Sequence, residues 1–346
     1  MIVFSGDVGG TSTRMQLTEF IGSDDGSTSF QDCKVNIIKR EQYHNSDYAN
    51  FTDVIDAFFL ATDSSTKTKI KSACFGVAGP IINETVKVTN LPWVIKAEEI
   101  KKKLGIERVA LINDFMAIGY GLETLLPQDL LTLQVGKPCR DGVKSYIGAG
   151  TGLGVGFMFC KNGICNVCPT EGGHVDFAPA DETQLKLLQF LSKKYHHVSF
   201  ELVLSGMGLV NIYRFVRSQK SGAEEENHNL AILLDNEEHR ADIAATVFEY
   251  AVRQNDVLAA RALDIFIRIY GAAVGNLALT TLPFGGLYIV GGIAPKLLSQ
   301  IQNRVFLEAF GNKGRMSNLI KDIPLHVVLC TNVGLQGTAL YAKNIA

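Results

Sequence analysis

What limits this chain most is a layout it uses twice. The opening reads as an apolar strand (MIVFS), a glycine-rich turn (GDVGG) and a second strand (TRMQLTEF). Residues 144–159, KSYIGAGTGLGVGFMF, repeat that order, with Gly6 and Gly148 at matching places. A recurrence on this scale predicts two related domains facing each other, their glycine turns opposed across a cleft. Two hairpins can also carry glycine for its positive φ alone, so the turns need support from other residues.

Between and after the two copies, strands and helices alternate. CKVNIIKR, KSACFGVAGP, ERVALIND, GGLYIVGG and LHVVLC read as strands. YANFTDVIDAFFLA, AEEIKKKLG, FMAIGYGLETL, DETQLKLLQFLSKKY, FELVLSGMGLVNIYRFVR, DVLAARALDIFIRIYGAAVGNLAL and VGLQGTALYAKNIA read as helices. A further helix is expected from about Pro295. The alternation predicts an α/β fold of mixed sheets flanked by helices. The expected domains are a small one, 1–112 plus 333–346, and a large one, 113–332, with hinges near 112–115 and 330–334. Residues 221–239, polar and acidic, read as a solvated loop with a short helix.

Composition removes several classes. Lys and Arg number 33 against 35 Asp and Glu, a net charge of -2, so no strong field is available for nucleic acid or an anionic membrane. The most apolar stretch, IYGAAVGNLALTTLPFGGLYIVGGIAP, is broken by Pro283 and two Gly-Gly pairs, and reads as buried helix, turn and strand rather than a membrane span. MIVFSGDVGG lacks the basic-then-apolar order of a signal peptide, and KNIA is no peroxisomal address, so a cytoplasmic location is expected. Seven cysteines, an odd number, read as reduced thiols.

Backbone N–H groups converging in a tight turn can meet phosphate oxygens where no Cβ intervenes. GDVGGT and GAGTGLG both supply such amides, and Thr11 and Thr151 add hydroxyls. Asp7 stands in the first turn only. A carboxylate beside phosphates repels them unless a cation lies between, which points to Mg²⁺ held directly or through water. No G-x-x-x-x-G-K-[ST] occurs, G-x-G-x-x-G fails at Leu153, and protein-kinase signatures are absent.

LINDF ends an apolar strand on Asn113 and Asp114. Ligands in open α/β sheets bind outside the carboxyl ends of the strands. Asp114 there can accept a hydroxyl proton, or it can cap the following helix. Asn113 can donate to and accept from a neighbouring hydroxyl. EGGHVDF adds Glu171 and His174, which two glycines allow to converge on one polyol; His174 can equally be a packed histidine. Cys165, Cys168 and His174 could alternatively bind zinc, but no second Cys pair follows.

GDVGGT, TNLPW, INDF, GAGTGLG, EGGHVDFAP, SGMGL, GNLAL and GGIAPK, in this order, resemble the group A glucokinases of bacterial type, in the sugar kinase–actin–Hsp70 superfamily. The resemblance runs from Met1 to the final helix. It implies two related actin-like ATPase (ribonuclease H-like) domains with a cleft between them, phosphorylation of D-glucose at its 6-hydroxyl by ATP with Mg²⁺, and a homodimer. Asp114 matches the family's catalytic base. Asn113, Asp114, Glu171, His174 and Glu201 match its glucose contacts; Glu201 taken alone reads as an exposed helix residue. Gly6, Asp7, Val8, Gly9, Gly10 and Thr11, and Gly150, Thr151 and Gly152, match the phosphate loops. Gly291 and Gly292 match the stretch near the adenosine, and Trp93 a loop near the sugar. The zinc motif of a related kinase family is missing after His174.

The expected chemistry is in-line transfer, with Asp114 taking the 6-hydroxyl proton and the turns stabilising phosphate charge. Competing readings are another hexose kinase (mannose, fructose or glucosamine), an ATPase that switches conformation without sugar, and a sugar sensor that has lost catalysis.

Overall fold

The computed structural model describes residues 1–22, 34–60, 62–89, 91–161, 164–219, 228–235, 240–253 and 256–346. The chain divides into two compact units. The first is Met1–Leu130, Met158–Pro169 and Cys330–Ala346; the second is Leu131–Phe157 and Thr170–Leu329. The helix Asp114–Leu122 therefore lies in the first unit, where the sequence reading began the second domain at 113.

The first unit is built on β1 (Ile2–Val8), β2 (Ser12–Ile21), β3 (Lys34–His44), β4 (Ile70–Val77), a small sheet of β5 (Ile81–Ile82), β6 (Thr85–Lys87) and β7 (Val94–Lys96), and β8 (Arg108–Asn113). Its main sheet runs β3-β2-β1-β4-β8. β1 pairs antiparallel with β2 and parallel with β4, and β4 pairs parallel with β8. A strand at the centre of such a sheet is covered on both faces, and β1 is apolar accordingly. Phe4 and Val8 join Phe51, Val54, Ile55 and Phe58 of the helix Phe51–Leu60 in one core. Val3 faces the other way, with Ala339 and Ala342 of the helix Val333–Asn344.

That second helix is packed tightly on the helix Asp114–Leu122. A Cβ on Gly337 would lie 1.8 Å from the Ala117 carbonyl oxygen, and one on Gly121 would lie 2.0 Å from that of Val333. Only glycine permits these approaches. Trp93, expected near the sugar loop, is buried in the first unit's core beside Phe51.

The second unit holds β9 (Leu130–Gln134), β10 (Lys144–Ala149), the start of β11 (Leu153–Lys161) as far as Phe157, β13 (Gly286–Val290) and β14 (Leu325–Val328), while the rest of β11 and β12 (Ile164–Pro169) fall in the first unit. Within the second unit the order is β11-β10-β13-β14-β9, and β10, β13 and β14 are parallel neighbours. The order β2-β1-β4-β8 thus recurs as β11-β10-β13-β14, as the repeated hairpin predicts. The buried helix Val257–Thr281 is the axis of this unit's core, against helices Gly206–Ser218 and Arg304–Gly311. No helix among the described residues is long and apolar enough to cross a membrane.

Two expectations change. The stretch FELVLSGMGL is a 3₁₀ turn, Phe200–Leu202, and then a helix from Gly206, because Ser205 caps the second piece by accepting from Gly208 N–H. The reduced-thiol reading also fails for one pair: Cys160 and Cys165 are joined by a disulfide, standing on successive strands β11 and β12. Much of the acidic segment, 221–227 and 236–239, lies outside the described residues; its middle is the helix His228–Asp235.

Candidate active site

In the first unit, strand register assembles the acidic residues. Asp7 pairs with Arg14 across β2 and with Gly76 across β4, and Gly76 pairs with Ile112 on β8. Asp7, Asn113 and Asp114 therefore stand at the carboxyl ends of parallel strands, where α/β sheets present ligand sites. Gly76 keeps the row low. A Cβ there would come 3.0 Å from Ala117 Cβ and 3.8 Å from Asp114 Cα.

Asn113 is the N-cap of the helix Asp114–Leu122, and its Oδ1 accepts from Phe115 N–H at 2.9 Å. Asp114 Oδ1 accepts from the same N–H at 2.9 Å. The capping role weighed for Asp114 thus falls mainly to Asn113, although Asp114 shares the donor. A carboxylate in the first turn also sits favourably against the helix dipole.

Asp7 is not an isolated carboxylate. Arg14 Nη2 donates to its Oδ2 at 2.6 Å, while Arg14 Nη1 donates to Thr331 O at 2.8 Å and Asn332 Oδ1 at 3.2 Å. The guanidinium ties the end of β1 to the start of the helix Val333–Asn344. Sequence reasoning passed over Arg14. A signal existed: in a hairpin turning at 9–12, residues 7 and 14 face each other.

Of the residues matched to the first phosphate loop, Gly6, Asp7 and Val8 belong to β1, with Gly6 and Val8 buried. A Cβ on Gly6 would press 2.7 Å from the Phe75 ring, so this glycine serves packing. Gly9, Gly10 and Thr11 form the turn itself, with Gly10 and Thr11 exposed and open space where a Gly10 Cβ would be. Buried Asn45 braces it: Nδ2 donates to Gly9 O at 2.8 Å, Oδ1 accepts from Thr13 Oγ1 at 2.8 Å, and its N–H donates to Thr11 O.

The second unit gathers the other predicted residues around Leu153. Gly150, Thr151 and Gly152 link β10 to β11, and Gly150 N–H closes on Gly152 O at 2.8 Å. Gly150 O accepts from Gly206 N–H at 2.9 Å. Glu201 Oε2 accepts from Leu153 N–H at 2.9 Å, and a Cβ on Gly152 would lie 2.5 Å from that oxygen. The Glu201 carboxylate therefore holds the glycine turn, a role that depends on a partner 48 residues away.

Glu171 precedes the 3₁₀ turn Gly172–His174. A Cβ on Gly173 would lie 1.9 Å from Leu153 O, so this segment folds back on the same strand end. His174 Nε2 lies 3.9 Å from Glu171 Oε2, with both side chains largely exposed. Exposure removes the packed-histidine reading of His174. Gly291 and Gly292 follow β13; Gly291 takes φ 88, and a Cβ there would meet Ala149 O at 3.0 Å. Parallel pairing of Gly148 with Val290 places this turn beside Gly150.

For a divalent cation, Asp7 is a single hard-oxygen ligand whose Oδ2 already accepts from Arg14. That suits Mg²⁺ bound mainly by phosphates and water, and does not suit a protein-only cage. Among the described residues the one group of three ligand types close enough for a metal is Glu123, Cys160 and Cys165, which excludes His174 and Cys168 from the zinc set considered above.

Comparison with known proteins shows the family. A family model described as Glucokinase matches residues 4–345. The glucokinase of Nostoc punctiforme is 42% identical over 351 residues, covering 99% of both chains. That of Synechocystis is 37% identical, covering 98% of this chain and 97% of the relative. Among solved structures, a glucokinase from an Antarctic psychrotroph superposes with a TM-score of 0.80 at 27% identity, covering 99% of each chain. A Streptomyces griseus ROK family glucokinase, solved with glucose and AMPPNP, shares the fold at a TM-score of 0.58 and 20% identity.

Proposed function

The chain belongs to the glucokinase family, and from that premise we propose that Asp114 takes the proton from the glucose 6-hydroxyl as ATP gives up its γ-phosphoryl group. The fold is the two-domain actin-like ATPase fold of the sugar kinases. The reaction is phosphorylation of glucose by ATP, and ADP is the expected second product.

The observation that carries the assignment is the position of Asp114: first residue of a helix, directly after the carboxyl end of β8, in a sheet whose β1 carries Asp7 one residue before its end. A base at this place needs to be ionised and aimed, and sharing Phe115 N–H fixes one of its oxygens. Positioning carries most of phosphoryl transfer, so a fixed carboxylate at the end of a buried strand suits the chemistry. Asn113, Glu171, His174 and Glu201 supply the donors and acceptors that adjacent sugar hydroxyls require. Glu201 does this while its other function, bracing the Gly150–Gly152 turn, continues.

The glycine turns Gly9–Thr11 and Gly150–Gly152 would each take phosphate oxygens through backbone N–H groups. Gly291 and Gly292 would lie along the nucleoside. Asp7 would hold Mg²⁺, directly or through water, and the cation supplies neutralisation of charge on the phosphates.

Asp114→Asn tests the base. The isosteric amide preserves shape and hydrogen bonding but cannot take the proton. Calorimetry should show glucose binding retained, while turnover falls by roughly 10²–10⁴. Wild-type turnover in this variant removes Asp114 from the role.

A further inference from the structure

The Cys160–Cys165 pair lies outside everything the kinase reaction uses, yet its surroundings are chemically specific. Cys160 is on β11 and almost buried; Cys165 is on β12 and half-exposed. Glu123, immediately after the helix Asp114–Leu122, places Oε2 3.1 Å from Cys165 Sγ. A disulfide sulfur has no proton to donate, so that contact is a hydrogen bond only when Cys165 is a thiol. The same helix meets β12 a second time, where the Tyr120 phenol oxygen takes a hydrogen bond from the Val167 backbone. Two sulfurs close enough to join, and a carboxylate that favours one of them protonated, describe a couple with two usable states.

We propose that Cys160 and Cys165 form a reversible dithiol–disulfide site, that small-molecule disulfides such as oxidised glutathione act on it, and that Glu123 favours its reduced form. Cys165, the exposed partner, reacts first. Its thiolate attacks one sulfur of oxidised glutathione, the S–S bond breaks, and one glutathione leaves as thiolate. The Cys160 thiolate then attacks the Cys165 sulfur of the mixed disulfide and expels the second glutathione. The protein loses two electrons and two protons, and the glutathione disulfide gains both. Glu123 opposes the first step, because its charge disfavours a neighbouring thiolate. Oxidation removes the thiol proton that docks Glu123, at the far end of the helix that begins with Asp114.

The test uses the full chain, equilibrated across a series of reduced-to-oxidised glutathione ratios, quenched by alkylation and digested with trypsin. Cleavage after Lys161 separates the two cysteines, so the oxidised form yields two peptides joined by a disulfide and dithiothreitol frees them. Fragmentation should assign the link to Cys160 and Cys165. Exclusive linkage through Cys168, alkylation of both thiols at every ratio, or a stoichiometric tightly held zinc that keeps the pair from joining would each overturn the proposal. Glu123→Gln should make reduced Cys165 alkylate about threefold to tenfold faster at neutral pH, as expected when an adjacent negative charge is removed from a thiol. An unchanged rate overturns the part assigned to Glu123. Cys165→Ser, which lacks the first thiol, should leave no linked pair; a link persisting in it would also refute the scheme.

Discussion

Replacing Gly337 by alanine should damage catalysis without touching any substrate-facing residue. Gly337 lies where the helix Val333–Asn344 crosses the helix Asp114–Leu122, and a new Cβ would lie 1.8 Å from Ala117 O. Cβ contacts do not come below 3.0 Å, so the helices must part by at least about 1.2 Å. The atom met is backbone and cannot swing aside. Alanine in a helix interior gains about 1 kcal/mol over glycine from propensity. Overpacking costs about 1–3 kcal/mol, and a backbone clash belongs at or beyond the upper end. The clash therefore decides the sign, with a net loss of about 2 kcal/mol. For units of this size that lowers Tm by about 4–8 °C. A shift of about 1 Å in a catalytic group can cost roughly 10² in rate. Scanning fluorimetry and a coupled assay for glucose 6-phosphate should show both effects, with kcat falling more than glucose affinity, since Glu171, His174 and Glu201 belong to the other unit. Gly311→Ala, where a Cβ meets nothing within 4 Å, is the control and should lose nothing. Wild-type Tm and kcat in Gly337→Ala would refute the claim that this crossing fixes Asp114.

Arg14→Ala removes the partner of Asp7 and two ties to residues 331 and 332, so the KM for ATP should rise roughly tenfold, about the loss of one charge-assisted bond, with glucose KM little changed. Steady-state kinetics in both substrates checks this. Glu201→Ala leaves the Leu153 N–H without its acceptor, at a cost of about 1–3 kcal/mol, and should weaken ATP and glucose together; a change confined to glucose would contradict the bracing role. His326 stacks on Tyr288, and burial holds its pKa below 6.5. The unfolded chain then binds more protons between the lowered value and 6.5, so stability rises with pH through that window and is lost as pH falls through it. Melting curves from pH 5 to 8 should show this rise in the wild type and a smaller one in His326→Gln.

Local physics was readable from the chain. The β1–β2 hairpin and the stop of the helix Ala97–Leu104 at Gly105, with φ 69, follow from neighbours within a few residues. Asp114 was found the same way, as an acid at the end of an apolar strand. What escaped reading depends on distant partners. Glu201 and Leu153 are 48 residues apart, and no pattern around FEL says that a carboxylate will reach a glycine turn. The glycines at 121 and 337 look like ordinary helix interruptions until the two helices are laid together. Cys160 and Cys165 flank an Asn-Gly pair, itself a hairpin signal, but sequence spacing alone does not separate a cross-strand pair from the zinc alternative of Cys165, Cys168 and His174.

The accuracy of the proposed base rests on buried strands more than on loops. Parallel neighbours stand about 4.8 Å apart, so two steps from β1 through β4 to β8 separate the ends carrying Asp7 and Asn113 by about 10 Å. That spacing holds only while register holds. A slip of one residue would turn Phe4 and Val8 out of one core and Val3 out of the other, which central burial forbids. Phe75 and Gly76 therefore act on the chemistry through the ladder, Phe75 by filling the space over Gly6 and Gly76 by admitting the helix that begins with Asp114. A volume change at either should move the carboxylate before it unfolds the unit, so turnover is the more sensitive readout and stability the less.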